Sequence, residues 1–160
     1  MNKDNLNERV GVLTRREIEA RILKPFYEVV AAELGEEKAR ALLSSVVIAE
    51  AKNLGQSMRA EVETDELAAF AEQWEPWFRG GALVVEVLEQ NEKFWNFNVT
   101  RCRYAELYRE LGMAELGATL SCNRDAALVE GYSQDIAFER SQTLMQGASH
   151  CDFRYRKNSP

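Results

Sequence analysis

Three cysteines, one histidine and a handful of carboxylates and arginines carry most of the chemistry this chain can offer. Cys102, Cys122 and Cys151 are widely spaced, odd in number and without a C-x-x-C pair, so they read as free thiols. A thiol is nucleophilic only as thiolate, which the positive end of a helix favours. Cys102 falls just after Thr100, a candidate helix cap, and Cys122 just after Ser121. Each has a carboxylate about one turn on, Glu106 at i+4 and Asp125 at i+3, a spacing that puts both groups on one helix face. A carboxylate beside a thiol raises its pKa, so these pairs suit a proton acceptor better than a thiol activator. The plain alternative is that each cysteine is a small buried hydrophobe.

The segment "SHCDFRYRK" gathers the only histidine, a cysteine, an aspartate and two arginines. As a strand it divides by parity: Cys151, Phe153 and Tyr155 face one way, His150, Asp152 and Arg154 the other. The first set reads as core. The second is a solvated polar face or a pocket wall, and pattern alone leaves both open. Cys102, Cys122, Cys151 and His150 have the right ligand types for zinc, but their intervals are long and no close pair exists, so no metal or cofactor is expected.

The elements that must position these residues follow from periodicity. Thr14 and Glu17 stand at capping-box spacing before Ile18, Ile22, Phe26, Val29 and Val30, and Gly35 ends the run. This predicts a first long helix with those apolar residues inward, kinked or split at Pro25. A second follows, with Leu42, Leu43, Val46, Val47, Leu54 and Met58 on its stripe. A third, capped by Thr64 or Asp65, turns Leu67, Phe70, Ala71 and Trp74 inward. After Gly80-Gly81, "ALVVEVLEQ" and "FWNFNV" read as a β-hairpin round residues 91–93. A short helix to Gly112 and a second helical stretch to Gly131 come next. "IAFERSQTLMQG" and "HCDFRYRK" then form two strands turning at Gly147. The fold class expected is α+β: a helical N-terminal half, then a mainly antiparallel sheet with a helical insertion, as a single domain over 1–160.

Net charge of −6 argues against nucleic-acid and membrane-surface partners, which need a basic footprint. "MNKDNLNERVGVL" holds no apolar run long enough for a leader, so a cytoplasmic protein is expected. The partner expected is a small molecule. Homo-oligomerisation is left open.

The ordered series N-x-T-x-C-x-Y-x-E-L (98–107), C-x-x-D (122–125), Gly131-Tyr132, R-S-x-T (140–143) and G-x-x-x-C-D-F-R (147–154) resembles the L-2-amino-thiazoline-4-carboxylic acid hydrolase family. The match covers about the last third of the chain and departs at Ser141, where the family's threonine would stand. The resemblance implies hydrolytic opening of a small cyclic isothiourea, amidine or amide ring to a carbamoyl-cysteine-type product. It implies catalytic roles among Cys122, Asp125, His150, Cys151 and Asp152, with Cys122 favoured if a thiol attacks. Substrate contact falls to Cys102, Glu106, Arg140, Thr143 and Arg154, with Arg140 or Arg154 on the carboxylate. The G-x-x-x-C-D-F ending is also similar to 4-vinyl-reductase-type sensory domains, which implies the alternative of small-molecule binding without turnover.

Overall fold

The computed structural model describes residues 6–158. Residues 1–5, where part of the leader reading falls, lie outside the described residues. Helices α1 (Leu6–Val10), α2 (Val12–Leu34), α3 (Glu36–Ala60), α4 (Leu67–Glu72) and α5 (Glu75–Phe78) precede every strand. A hairpin of β1 (Leu83–Gln90) and β2 (Phe94–Cys102) follows. An insertion then comprises α6 (Arg103–Glu110), α7 (Ala114–Gly117), a π-turn (Ala118–Cys122) and α8 (Asn123–Tyr132). Strands β3 (Ile136–Glu139) and β4 (Cys151–Lys157) close an antiparallel sheet of order β1-β2-β4-β3. The protein is α+β. No helix among the described residues is long and apolar enough to cross a membrane.

The hairpin forms where expected because the Asn91 side-chain oxygen accepts the N–H groups of Lys93 (2.9 Å) and Phe94 (2.8 Å), closing the turn. In β4 the parity holds, with Cys151, Phe153 and Tyr155 buried. They join Phe70, Trp74, Trp95, Phe97 and Val99 in an aromatic core between the sheet and α4. A second core, of Val12, Ala20, Ala39, Val47, Tyr104, Tyr108 and Leu120, lies among α2, α3 and the insertion. Trp77, Leu83 and Cys102 border both.

Several local expectations are corrected. Helix α2 starts at Val12 after Gly11, whose φ of 76° makes the break, so Thr14 lies inside the helix and caps nothing. The helix runs unbroken through Pro25. Pro25 and Arg21, whose carbonyl it cannot serve, are both exposed, so water can take that carbonyl. The stripe is turned over as well: Val12, Arg16, Ala20 and Tyr27 are buried, while Ile18, Ile22, Phe26 and Val29 are 59–71% exposed. The inward face carries smaller and polar residues because α3 and α6 approach it, with Lys24 donating to the Leu111 carbonyl (3.0 Å). On α3, Leu42 and Val46 also face out. Thr100 is a strand residue, since β2 extends to Cys102. Strand β3 ends at Glu139, leaving 140–143 as a loop before a 3-10 turn (Leu144–Gln146).

Helix α8 is placed by backbone contact with α3. A Cβ built on Gly55 would stand 2.1 Å from the Leu128 carbonyl oxygen, and one on Gly131 2.2 Å from that of Lys52. The approach leaves room only for hydrogen. We therefore expect Gly131→Ala to destabilise the protein by about 3 kcal/mol in chemical denaturation. Helix propensity alone would give the opposite sign, about 0.5–1 kcal/mol of stabilisation.

Candidate functional site

Between the two cores lies a chamber of about 50 Å³, room for roughly three to five waters. Its walls come from five parts of the fold. Helix α2 contributes Val12 and Arg16, and the stretch around α5 contributes Trp74 and Trp77. The sheet supplies Val99, Cys102, Cys151 and Phe153, and the insertion supplies Tyr104, Ser121, Cys122, Arg124 and Asp125. Arg140 enters from the loop after β3. Val99 and Cys151 are register partners on β2 and β4, which is why both thiol-bearing strand ends meet here. On the insertion, Ser121 and Asp125 are one turn apart, as are Cys122 and Asp125, so one helical face presents all three.

Arg140 organises the chamber. Its guanidinium donates to the Asp125 carboxylate and to the Cys122 carbonyl (3.1 Å), and stacks 5.3 Å from the Phe153 ring centre. Burial pushes Asp125 up to about 6, against the opposing pull of Arg140. Burial also works against the charge on Arg140, yet Asp125 more than offsets this and holds its pKa above the usual value. The pair stays charged near neutrality, with Asp125 as the group that titrates first.

The thiols go the other way from thiolates. Burial pushes Cys122 up to about 12, with Asp125 adding to it. Burial likewise takes Cys102 to about 11, although the N–H groups of Ala105 and Tyr104 pull it back. Cys151 is raised too, by burial, despite the Leu144 N–H that donates to its sulfur (3.2 Å). The free helix N-terminus expected at Cys122 does not exist: α7, the π-turn and α8 run on continuously, and Cys122 lies inside that run. Its neighbouring N–H groups are therefore engaged rather than offered to sulfur.

Of the ten residues assigned from sequence, Cys102, Cys122, Asp125, Arg140 and Cys151 line the chamber; the other five do not. Glu106 is half-buried and pairs with Arg101 (2.8 Å), so it makes no pair with the Cys102 thiol. Asp152 accepts the backbone N–H groups of Ser141 (3.0 Å) and Gln142 (2.8 Å), holding the loop that carries Arg140. Burial acts to raise Asp152, but these bonds and the Ser141 hydroxyl hold it below the usual carboxylate range. His150 sits just before β4, with both ring nitrogens 3.2 Å from the Gln142 amide. The Thr143 hydroxyl caps the 3-10 turn (Gln146 N–H, 3.2 Å). Arg154 donates to the carbonyls of Phe97 and Phe153 (2.8 Å each) across the sheet's other face.

Arg16 was not among the expected residues. Its signal was present: Val12, Arg16 and Ala20 stand at i, i+4, i+8, so a charge interrupts an inward stripe of smaller residues. The bulkier Ile18–Val29 series masked it. Among the described residues, no three His, Cys, Asp or Glu side chains converge in a way that could hold a metal ion.

The family model described as L-2-amino-thiazoline-4-carboxylic acid hydrolase matches residues 15–155. The solved phenol-responsive sensory domain of the transcription activator PoxR with phenol is similar over 85% of this chain and 73% of that one. Sequence identity is 13% and the TM-score 0.47. No curated protein matches this chain.

The thiol environment gives a direct expectation. With a pKa near 12, Cys122 is about one part in 10⁵ thiolate at pH 7, against a few per cent for a free cysteine. Alkylation of the native protein, mapped by mass spectrometry, should label Cys102 and Cys122 at least about 100-fold more slowly than the denatured chain. Rapid native labelling at Cys122 would contradict the assignment.

Proposed function

The chain belongs to the L-2-amino-thiazoline-4-carboxylic acid hydrolase family, and from that premise we propose that the chamber opens a small cyclic isothiourea, amidine or amide ring by water attack, with Asp125 as the base. The observation that carries this reading is the placement of one carboxylate, titrating near 6 and held by Arg140, in a small chamber walled by aromatics and protonated thiols. A base poised just below the working pH suits proton abstraction from water.

The steps follow from those positions. A water beside Asp125 gives up a proton to the carboxylate as its oxygen bonds to the ring's amidine-type carbon. Negative charge developing on the tetrahedral centre is stabilised by the fixed Arg140 guanidinium in a site largely closed to solvent. The ring C–S or C–N bond then breaks, and Asp125 returns its proton to the departing sulfur or nitrogen. For an aminothiazoline carboxylate, C–S cleavage leaves an isourea whose hydroxyl proton moves to the former ring nitrogen, and the product is a carbamoyl-cysteine. The thiols, fully protonated at neutral pH, act as soft, weakly polar walls against the ring. Asp152 supports the site at one remove by fixing the loop of Arg140.

A second reading, small-molecule binding without turnover, draws on the ion-paired state of Asp125 and the absence of any thiolate. Turnover separates the two. Purified protein incubated with L-2-amino-thiazoline-4-carboxylate should release the carbamoyl-cysteine, detected by mass spectrometry. Asp125→Asn should lower kcat by about 10²-fold or more, while Cys122→Ser keeps it within a few-fold. As Asp125 acts ionised, kcat/KM should rise with pH through about 6 and level off above. Wild-type protein that binds the ring stoichiometrically and never opens it would leave the second reading standing.

A further inference from the structure

The chamber is not isolated. A cleft of about 550 Å³ lies beside it, and Arg16, Trp77 and Arg124 line both. These three side chains form the neck between the two spaces. We propose that Arg16 and Arg124 are an anion-binding pair that receives the carboxylate of a ring-shaped substrate at this neck, while the ring enters the chamber towards Asp125. The identity of the ring rests on the hydrolase reading; the anion site does not.

The two arginines of the neck, Arg16 and Arg124, share one carboxylate. Glu19 accepts from Arg15 (3.0 Å), Arg16 (2.6 Å) and, at longer range, Arg124 (3.5 Å). Local positive charge is therefore in excess at the inner end of the cleft. Arg16 is 4% exposed, yet among the described residues it makes one hydrogen bond, to Glu19, of the five its guanidinium can donate. A buried guanidinium with unused donors beside a cavity is costly unless a ligand or water completes it. Arg124 donates its Nε to the Leu120 carbonyl (2.7 Å), which fixes its plane and leaves its remaining donors at the neck. Burial, with Arg16 adding to it, depresses Arg124 to about 10. An anion between the two guanidiniums would relieve that repulsion, and a carboxylate matches a guanidinium fork bidentately.

The alternatives named from sequence are already engaged. Arg140 is held by Asp125 and Cys122, and Arg154 by backbone carbonyls away from the chamber. The cleft itself is lined by Glu50, Glu61 and Glu72 as well as arginines. That polarity favours a zwitterion, whose cationic amidine is tolerated by the acidic lining while its carboxylate stops at Arg16 and Arg124. A multiply charged free anion is discouraged by the same carboxylates.

The test compares two stable rings that differ only in the carboxylate: L-2-oxothiazolidine-4-carboxylate and 2-oxothiazolidine. Calorimetric titration of the wild type should show at least tenfold tighter binding of the carboxylate form, weakening with added salt. Arg16→Gln and Arg124→Gln should each abolish that preference without changing affinity for 2-oxothiazolidine, and Arg16→Lys should restore part of it. Circular dichroism checks folding; should Arg16→Gln fail to fold, Arg124→Gln decides alone. Equal wild-type affinity for the two rings, binding of neither, or a preference intact in folded Arg124→Gln overturns the anion pair. A preserved carboxylate preference with no turnover of any aminothiazoline removes the hydrolase reading and leaves this site standing.

Discussion

The ion pair between Arg140 and Asp125 ties the molecule's functional half together. It joins helix α8 to the loop after β3 and sets a full positive charge in contact with the carboxylate that lines the chamber. Removing either partner of this part-buried pair leaves the other charge without its counter-charge, which destabilises the fold. Everything near it serves its geometry. Phe138 and Phe153 receive the guanidinium face, and Asp152 pins the backbone on either side of Ser141. The glycine contact between α3 and α8 fixes the helix on which Asp125 stands.

The same burial gives the site its chemistry and sets its cost. It raises Asp125 and all three thiols together, which withdraws the thiols from nucleophilic work and leaves the carboxylate as the titrating group. The sign for stability follows. Asp125 has a folded-state pKa above its unfolded value, so its contribution is complete at low pH and is lost as pH rises through about 6. Ionising the base thus works against the fold in the range where the proposed reaction needs it, a strain of the kind functional sites carry.

Much of this was legible in the residues, and what was not has identifiable causes. The β1–β2 hairpin and the inward face of β4 could be read because alternation and an Asn-led turn are local signals that packing did not override. The spacing of Cys122 and Asp125, and the ordered motif that includes Arg140, pointed to residues that do share a chamber. The α2 stripe misled because hydrophobic size was taken for burial: α3 and α6 approach the side of Val12, Ala20 and Tyr27, and leave Ile22 and Phe26 in solvent. Cys122 misled because a π-turn carries the helix through it, where Ser121 suggested a cap. His150 and Asp152 adjoin Cys151 in sequence, but strand parity sends Asp152 to the loop, and His150 precedes the strand. Arg16 stands more than a hundred residues from Asp125, and such a pairing is visible only once the chain is folded.

The most direct test of this account is the ionisation of Asp125 itself. Carbon-13 NMR of protein labelled at aspartate carboxyls, with the Asp125 resonance assigned by its loss in Asp125→Asn, would follow that group through a pH titration. The account predicts a midpoint near 6, above Asp65 and Asp152, which are held below the usual value, and a further rise when Arg140 is replaced by Gln because its opposing pull is gone. A midpoint at or below the ordinary aspartate value would contradict it, since the carboxylate would then be a structural partner of Arg140 and not a base poised for work.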